Sequence, residues 1–236
     1  MTLTLIILIG CTILGGLSIN LVPKLKNNLR LPLIFAGSYL FAITIIHIIP
    51  ELFSLSDEPS IIGLYVLIGF FMQQFLEYFS SGVEHGHVHT HKAVSTGGRF
   101  SIITALMIHS LLEGTLLTHD SPFHEKHESY SLLLGIVLHK MPAAFALMAT
   151  MQGLGKKAIY LLVLFSLASP IGLILSDFIL MSEDVVLIVF AIVCGSFLHI
   201  STTIFVEASP EHHFGLNKIL ISLAGALMAI VVEFIA

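Results

Sequence analysis

The sequence predicts an all-α integral membrane protein with eight transmembrane helices in a 3+2+3 arrangement. Composition is the first observation: apolar residues make up 56% of the 236 and charged residues 11%, with a mean hydropathy of +0.98. A soluble domain carries about 25% charged residues. The second observation is that the apolar residues gather into eight runs, covering about 2–22, 33–53, 61–81, 100–118, 130–151, 157–179, 185–206 and 216–236. Each run is long enough to cross roughly 30 Å of hydrocarbon as a helix. The short alternating apolar and polar strands of an outer-membrane barrel do not occur. Because the runs nearly fill the chain, a single polytopic transmembrane domain, 1–236, is expected.

Span one has no basic leader segment and no small-residue cleavage pattern, so it reads as a retained helix. Lys24, Lys26 and Arg30 follow it. Span two ends in His47-Ile48-Ile49-Pro50-Glu51. After span three, loop 82–99 carries His85, His87, His89 and His91 in alternation, a cytosolic tract suited to collecting divalent metals. Span four contains His109-Ser110-Leu111-Leu112-Glu113-Gly114. The following loop contains His124-Glu125-Lys126-His127, which has one residue too few between its histidines for a metalloprotease helix motif and lies beside Pro122. Span five contains His139-Lys140-Met141-Pro142, span six follows Lys156 and Lys157, and span seven ends near Glu207-Ala208-Ser209-Pro210-Glu211. The Pro-Glu pairs of spans two and seven, which run in opposite directions, hint at an inverted repeat of helices 1–3 and 6–8. Cys11 and Cys194 both lie within spans, so neither a disulfide framework nor a cysteine zinc site is expected.

Eight of the ten Lys and Arg residues fall on one side of this arrangement, with Lys126 on the other and Lys140 inside the membrane. The positive-inside rule then puts both termini outside the cytosol. Asp57, Glu58, Asp120, Glu125, Glu128, Glu183 and Asp184 form an acidic outer rim able to gather cations.

The chemistry concentrates in spans four and five. An ionisable group at membrane depth is costly unless paired, and by default it marks function. His109 and His139 each lie about ten residues into their spans, hence at similar depth. His109 and Glu113 are four apart and share a helical face, so both can donate lone pairs to one cation. Imidazole nitrogen with carboxylate oxygen suits zinc and its first-row neighbours, whereas calcium or magnesium would call for oxygen alone. Lys140 needs a carboxylate partner such as Glu113 and is read as a built-in cation standing where a second metal could sit. Pro142 cannot donate to the Leu138 carbonyl, which predicts a freed carbonyl and a kink beside His139. His199 lacks a carboxylate within one turn, and Glu77 and Glu233 have no motif around them.

Taken together, these residues resemble the ZIP (Zrt/Irt-like protein) family of divalent-metal transporters across essentially the whole chain. Members have eight spans, extracytosolic termini, a histidine-rich loop after span three, H-[NS]-x-x-[DE]-G in span four and His-x-x-Pro in span five. The run from His139 to Phe145 is most similar to the HKxPAAF branch that includes ZIP nine of vertebrates. The resemblance implies a metal site between spans four and five, with His109, Ser110, Glu113 and His139 at the matching positions and a contribution from span two. Many relatives have an acidic residue at the place of Lys140 and a His or Glu at that of Ala143, so one metal is expected here where they can form a binuclear centre. His47 is ranked first to complete the shell; water or His199 is the alternative, and Glu51 is a further auxiliary candidate.

The function expected is movement of zinc, or of iron, manganese or cadmium, toward the cytosol. The metal is then substrate, the partners are the ion and the lipid bilayer, nucleic acid is not a partner, and a homodimer is compatible with the reading. No enzymatic activity is expected. A bacterial inner membrane is the favoured location. Two readings of other classes stand beside it: a membrane haem-binding protein with mid-span histidine ligands, and a metal-sensing receptor without transport.

Overall fold

A computed structural model describes residues 2–21, 30–80, 96–117, 128–151, 153–178, 183–207 and 215–235. Among the described residues the regular structure is helical and no strand occurs. Helix α1 is Thr2–Leu21; α2, Arg30–Ile43, continues through a π-helical turn, Thr44–Ile48, into α3, Ile49–Ser54. Then come α4 (Pro59–Ser80), α5 (Thr96–Thr115), α6 (Glu128–Thr150), α7 (Lys156–Phe178), α8 (Glu183–Glu207) and α9 (Leu216–Ile235). Every expected apolar run corresponds to a helical segment, with α2, the π turn and α3 together making the second. The histidine tract His85–His91 and the loop histidines near Pro122 lie outside the described residues.

Seven of these segments are long and apolar enough to cross a membrane, and α5 is not among them. Its sequence carries Arg99, His109, Ser110 and Glu113, which lower its hydropathy. Ser110 and Glu113 are nevertheless buried against other helices, so the helix least suited to lipid meets protein with these side chains. Helix α6 is the innermost, with 83% of its span buried, and α9 the outermost, with 11%. Leu216, Leu220, Leu223, Leu227, Val231 and Phe234 of α9 are exposed, as are Phe71, Phe75 and Tyr78 of α4. So much exposed apolar surface is costly in water and ordinary against lipid tails.

The most extensive helix contacts are α4 with α8, α1 with α6, α2 with α9 and α5 with α7. Two groups result: α1, α5, α6 and α7 pack together, and α2–α3, α4, α8 and α9 pack together, joined mainly through α4 against α5 and α2 against α6. Tyr39 of α2 donates to the Ser131 carbonyl of α6 over 2.9 Å across that junction. A cavity of about 290 Å³, lined by residues of α1, α2 and α6 including Phe35, Leu138 and Pro142, opens at the same junction. Pro142 does not end α6, which runs on to Thr150.

Glycine sets how closely paired helices approach, as expected where lipid supplies no hydrophobic drive and small residues let backbones meet. A Cβ at Gly114 of α5 would overlap the Ser169 carbonyl of α7, and one at Gly172 of α7 would overlap the Leu111 carbonyl of α5. Gly63 of α4 faces open space. Gly114→Ala is therefore expected to lower stability by about 1–3 kcal/mol through overpacking, while Gly63→Ala is neutral or slightly stabilising by helix propensity. Thermal unfolding of both variants in detergent checks this; equal melting temperatures would contradict the interlock.

Candidate metal centre

Helix α5 presents His109, Ser110 and Glu113, α6 presents His139 and Lys140, and all five are buried. The Glu113 carboxylate is the hub, and its two oxygens have different surroundings. Oε1 lies 2.7 Å from His109 Nε2 and 3.7 Å from His139 Nε2. Oε2 lies 3.2 Å from Lys140 Nζ. The i,i+4 spacing brings His109 onto its own helix's carboxylate, and α6 supplies both the second imidazole and the ammonium from consecutive residues.

On the Oε1 side, one potential ligand atom from each of His109, Glu113 and His139 lies within 4.8 Å of the other two. With zinc–ligand bonds of about 2.0–2.2 Å, adjacent donors of a tetrahedral ion stand about 3.4 Å apart. The 2.7 Å and 3.7 Å separations bracket that value, so these three donors could hold such an ion after side-chain shifts. Among the described residues no aligned hydrogen bond reaches Glu113 Oε1, the oxygen both imidazoles face. The imidazole rings stand nearly perpendicular, at 89°, with centroids 5.7 Å apart. His109 Nδ1 lies 3.1 Å from Gln73 Oε1 of α4, and donation there would leave Nε2 to bind an ion shared with Glu113.

On the other side, Lys140 Nζ donates to Ser110 Oγ, Ser169 Oγ and Glu113 Oε2. An ammonium has three donors, and three oxygens take them. Ser169 of α7 in turn donates to the Ser110 carbonyl over 2.7 Å. The ring of Phe165 lies 4.9 Å from Nζ, close enough for cation–π attraction. The ammonium thus fills a polar niche against the second carboxylate oxygen.

His47, expected to complete the shell, does not belong to the group of three mutually close donors. Its imidazole lies between Glu233 Oε1, 2.8 Å from Nδ1, and Glu51 Oε2, 3.5 Å from Nε2. Pro50 has no N–H for the α-helical bond to Ile46, and the chain takes the π turn here, with Ile49 N–H bonded to the Thr44 carbonyl. That turn carries His47, and Glu233 of α9 holds its ring. His199 is likewise outside the group of three, its Nε2 lying 2.5 Å from Glu77 Oε2 of α4. Gln73 and Ser169 of these arrangements escaped sequence reasoning, and Glu77 and Glu233 were noted there without a role. The only sequence signal was their polarity within long apolar runs.

Comparison of the chain with protein-family models finds no match, and comparison with curated proteins finds none either. Geometry alone bears on the chemistry of the centre.

Breaking the buried ion pair from one side leaves a lone charge at depth, so Lys140→Ala is expected to cost about 3–5 kcal/mol. Removing both charges in Lys140→Ala/Glu113→Ala should recover much of that loss. Denaturant unfolding of the two single variants and the double variant measures the coupling; additive effects would show that Lys140 and Glu113 are energetically independent.

Proposed function

We propose that the protein is a secondary transporter of the ZIP kind that moves a divalent transition metal, zinc foremost, across a membrane toward the cytosol. The observation that carries the reading is the buried convergence of His109 Nε2 and His139 Nε2 on one oxygen of Glu113, between α5 and α6 of a membrane-type bundle. The donor set of two imidazole nitrogens and one carboxylate oxygen favours zinc, with iron, manganese or cadmium as other cargo. Three protein ligands leave a fourth position for water or an arriving group, as in zinc sites that exchange what they bind.

The helix packing supports the eight-span, 3+2+3 form of this reading. If α5 is counted as span four, exchanging spans one to three for six to eight, and four for five, turns the α1–α6 contact into α7–α5 and the α2–α9 contact into α8–α4. The same exchange turns the His47–Glu233 pair into His199–Glu77. Such correspondence is what an inverted repeat produces, and inverted repeats place substrate sites near the midplane at the repeat interface. In the orientation given by the basic residues, both termini are extracytosolic, and the membrane is best read as a bacterial plasma membrane. Haem ligation would leave Glu113, which both imidazoles face, without a role.

Uptake of radioactive zinc into proteoliposomes tests the proposal. His109→Ala and His139→Ala should each abolish saturable uptake while the protein stays folded and inserted, because losing one of three ligands removes most of the affinity, whereas a purely structural hydrogen bond of about 1 kcal/mol would cost stability and spare transport. Near-normal uptake by either variant would defeat the assignment.

The position of Lys140 makes a second, separate forecast. With its ammonium against Glu113 Oε2, the wild type should bind one metal at this centre, and Lys140→Asp should raise the count by one, by replacing a cation with an oxygen ligand. Equilibrium metal counting on purified protein decides it; an unchanged count in a folded variant would show that Lys140 serves only to hold helices together.

A further inference from the structure

We propose that His47 and Glu51 form a second divalent-metal site, separate from the central one, with Glu233 orienting the imidazole. The inference concerns metal binding and does not require that the protein transports. Three features of the group carry it.

The first is the division of labour between the two ring nitrogens. His47 Nδ1 lies 2.8 Å from Glu233 Oε1, an ordinary hydrogen-bond distance. With Nδ1–H donating to Glu233, Nε2 is the nitrogen with the lone pair, and it is the one facing Glu51. A carboxylate that fixes the tautomer from behind is the usual companion of a metal-binding histidine. The second feature is a distance. Nε2 and Glu51 Oε2 are 3.5 Å apart, longer than a good hydrogen bond yet close to the roughly 3.4 Å that separates adjacent donors on tetrahedral zinc. The pair therefore has the spacing of two ligands with an ion between them.

The third feature is access. His47 is 6% exposed, but Glu51 is 20% and Glu233 13% exposed, and the group lies near the C-terminal ends of α3 and α9. One side is thus open, which leaves the remaining coordination positions to water. The π turn that carries His47 is a deviation found often at functional sites. His199 supplies the contrast. Its Nε2 meets Glu77 at 2.5 Å, with Thr203 Oγ1 at 3.4 Å, and the pair joins α8 to α4.

The test uses full-length protein in detergent, with His85, His87, His89 and His91 replaced by Ser so that the tract between spans three and four does not contribute. Zinc bound per chain is counted by equilibrium dialysis. In this background His47→Ala should lower the count by one, and so should it when the central site has already been removed by His109→Ala/His139→Ala. Glu51→Gln should weaken the site at least about tenfold, and Glu233→Gln about 10- to 100-fold, the range for loss of an orienting partner. Cobalt bound to the central-site variant should show a visible d–d absorption that His47→Ala removes. His47→Gln, which retains a side-chain amide for Glu233 in place of the imidazole, guards against a folding defect and should lose the same ion. An unchanged count in His47→Ala and His47→Gln overturns the proposal. A count that falls with these variants but is insensitive to His109→Ala/His139→Ala supports it while defeating the central metal site.

Discussion

The interaction on which the rest depends is the burial of the Glu113 carboxylate. A carboxylate enclosed by helices must be met by positive charge or by donors, and the cost of failing to do so is several kcal/mol. Here each oxygen is met differently, Oε2 by the Lys140 ammonium and Oε1 by the two imidazoles, which satisfy it through a proton or a cation held between them. That ammonium in turn needs oxygens, and Ser110 and Ser169 supply them. Ser169 belongs to α7, and it reaches Ser110 and Lys140 because Gly114 lets the α7 backbone come against α5. A glycine one residue beyond the carboxylate is therefore part of the same electrostatic arrangement, through packing and not through charge.

The two helix groups carry different chemistry. The group of α1, α5, α6 and α7 holds the buried charged centre, with Gln73 of α4 as its hydrogen-bonded outside contact. The other group holds two histidine–carboxylate contacts between spans, from the π turn after α2 to α9 through His47 and Glu233, and from α8 to α4 through His199 and Glu77. Each joins a helix pair that is already among the most closely packed. The carboxylates of this second group, Glu51, Glu233 and Glu77, are partly exposed, which lowers the cost of their charge.

Local spacing made part of this legible in the sequence. His109 and Glu113 are four apart on one helix, and their contact follows from helical geometry. The nearness of His139 came from equal depth in antiparallel spans, and the Lys140–Glu113 pairing from the need of a buried ammonium for a carboxylate. The contacts that escaped join residues far apart in the chain, such as Gln73 with His109 and His47 with Glu233, and no local pattern encodes them. Pro50 stood out in the sequence only as part of a Pro-Glu pair, and the π turn just before it was not foreseen. His47 was ranked first for the central shell on the resemblance, and it is found between Glu233 and Glu51. Helix α5 shows the converse limitation. Its polar residues are what single it out chemically, and they are also what lower its hydropathy below that of the other seven segments.

The asymmetry of Glu113 has a consequence for any ion bound at Oε1. Because Oε2 is committed to Lys140, the carboxylate can offer a metal one oxygen and not two, and the two imidazoles offer one nitrogen each. The positive charge of Lys140, on the far side of the same carboxylate, also draws electron density away from Oε1 and weakens its hold on a second cation. A fixed site for structural zinc maximises affinity with four protein ligands and a closed shell. Three ligands, one of them shared with an ammonium, make a weaker and more open site. Under the proposed transport function that weakness is useful, since an ion that must leave cannot be bound as tightly as one that stays. The same lysine that stabilises the buried carboxylate would then also limit how firmly the cargo is held.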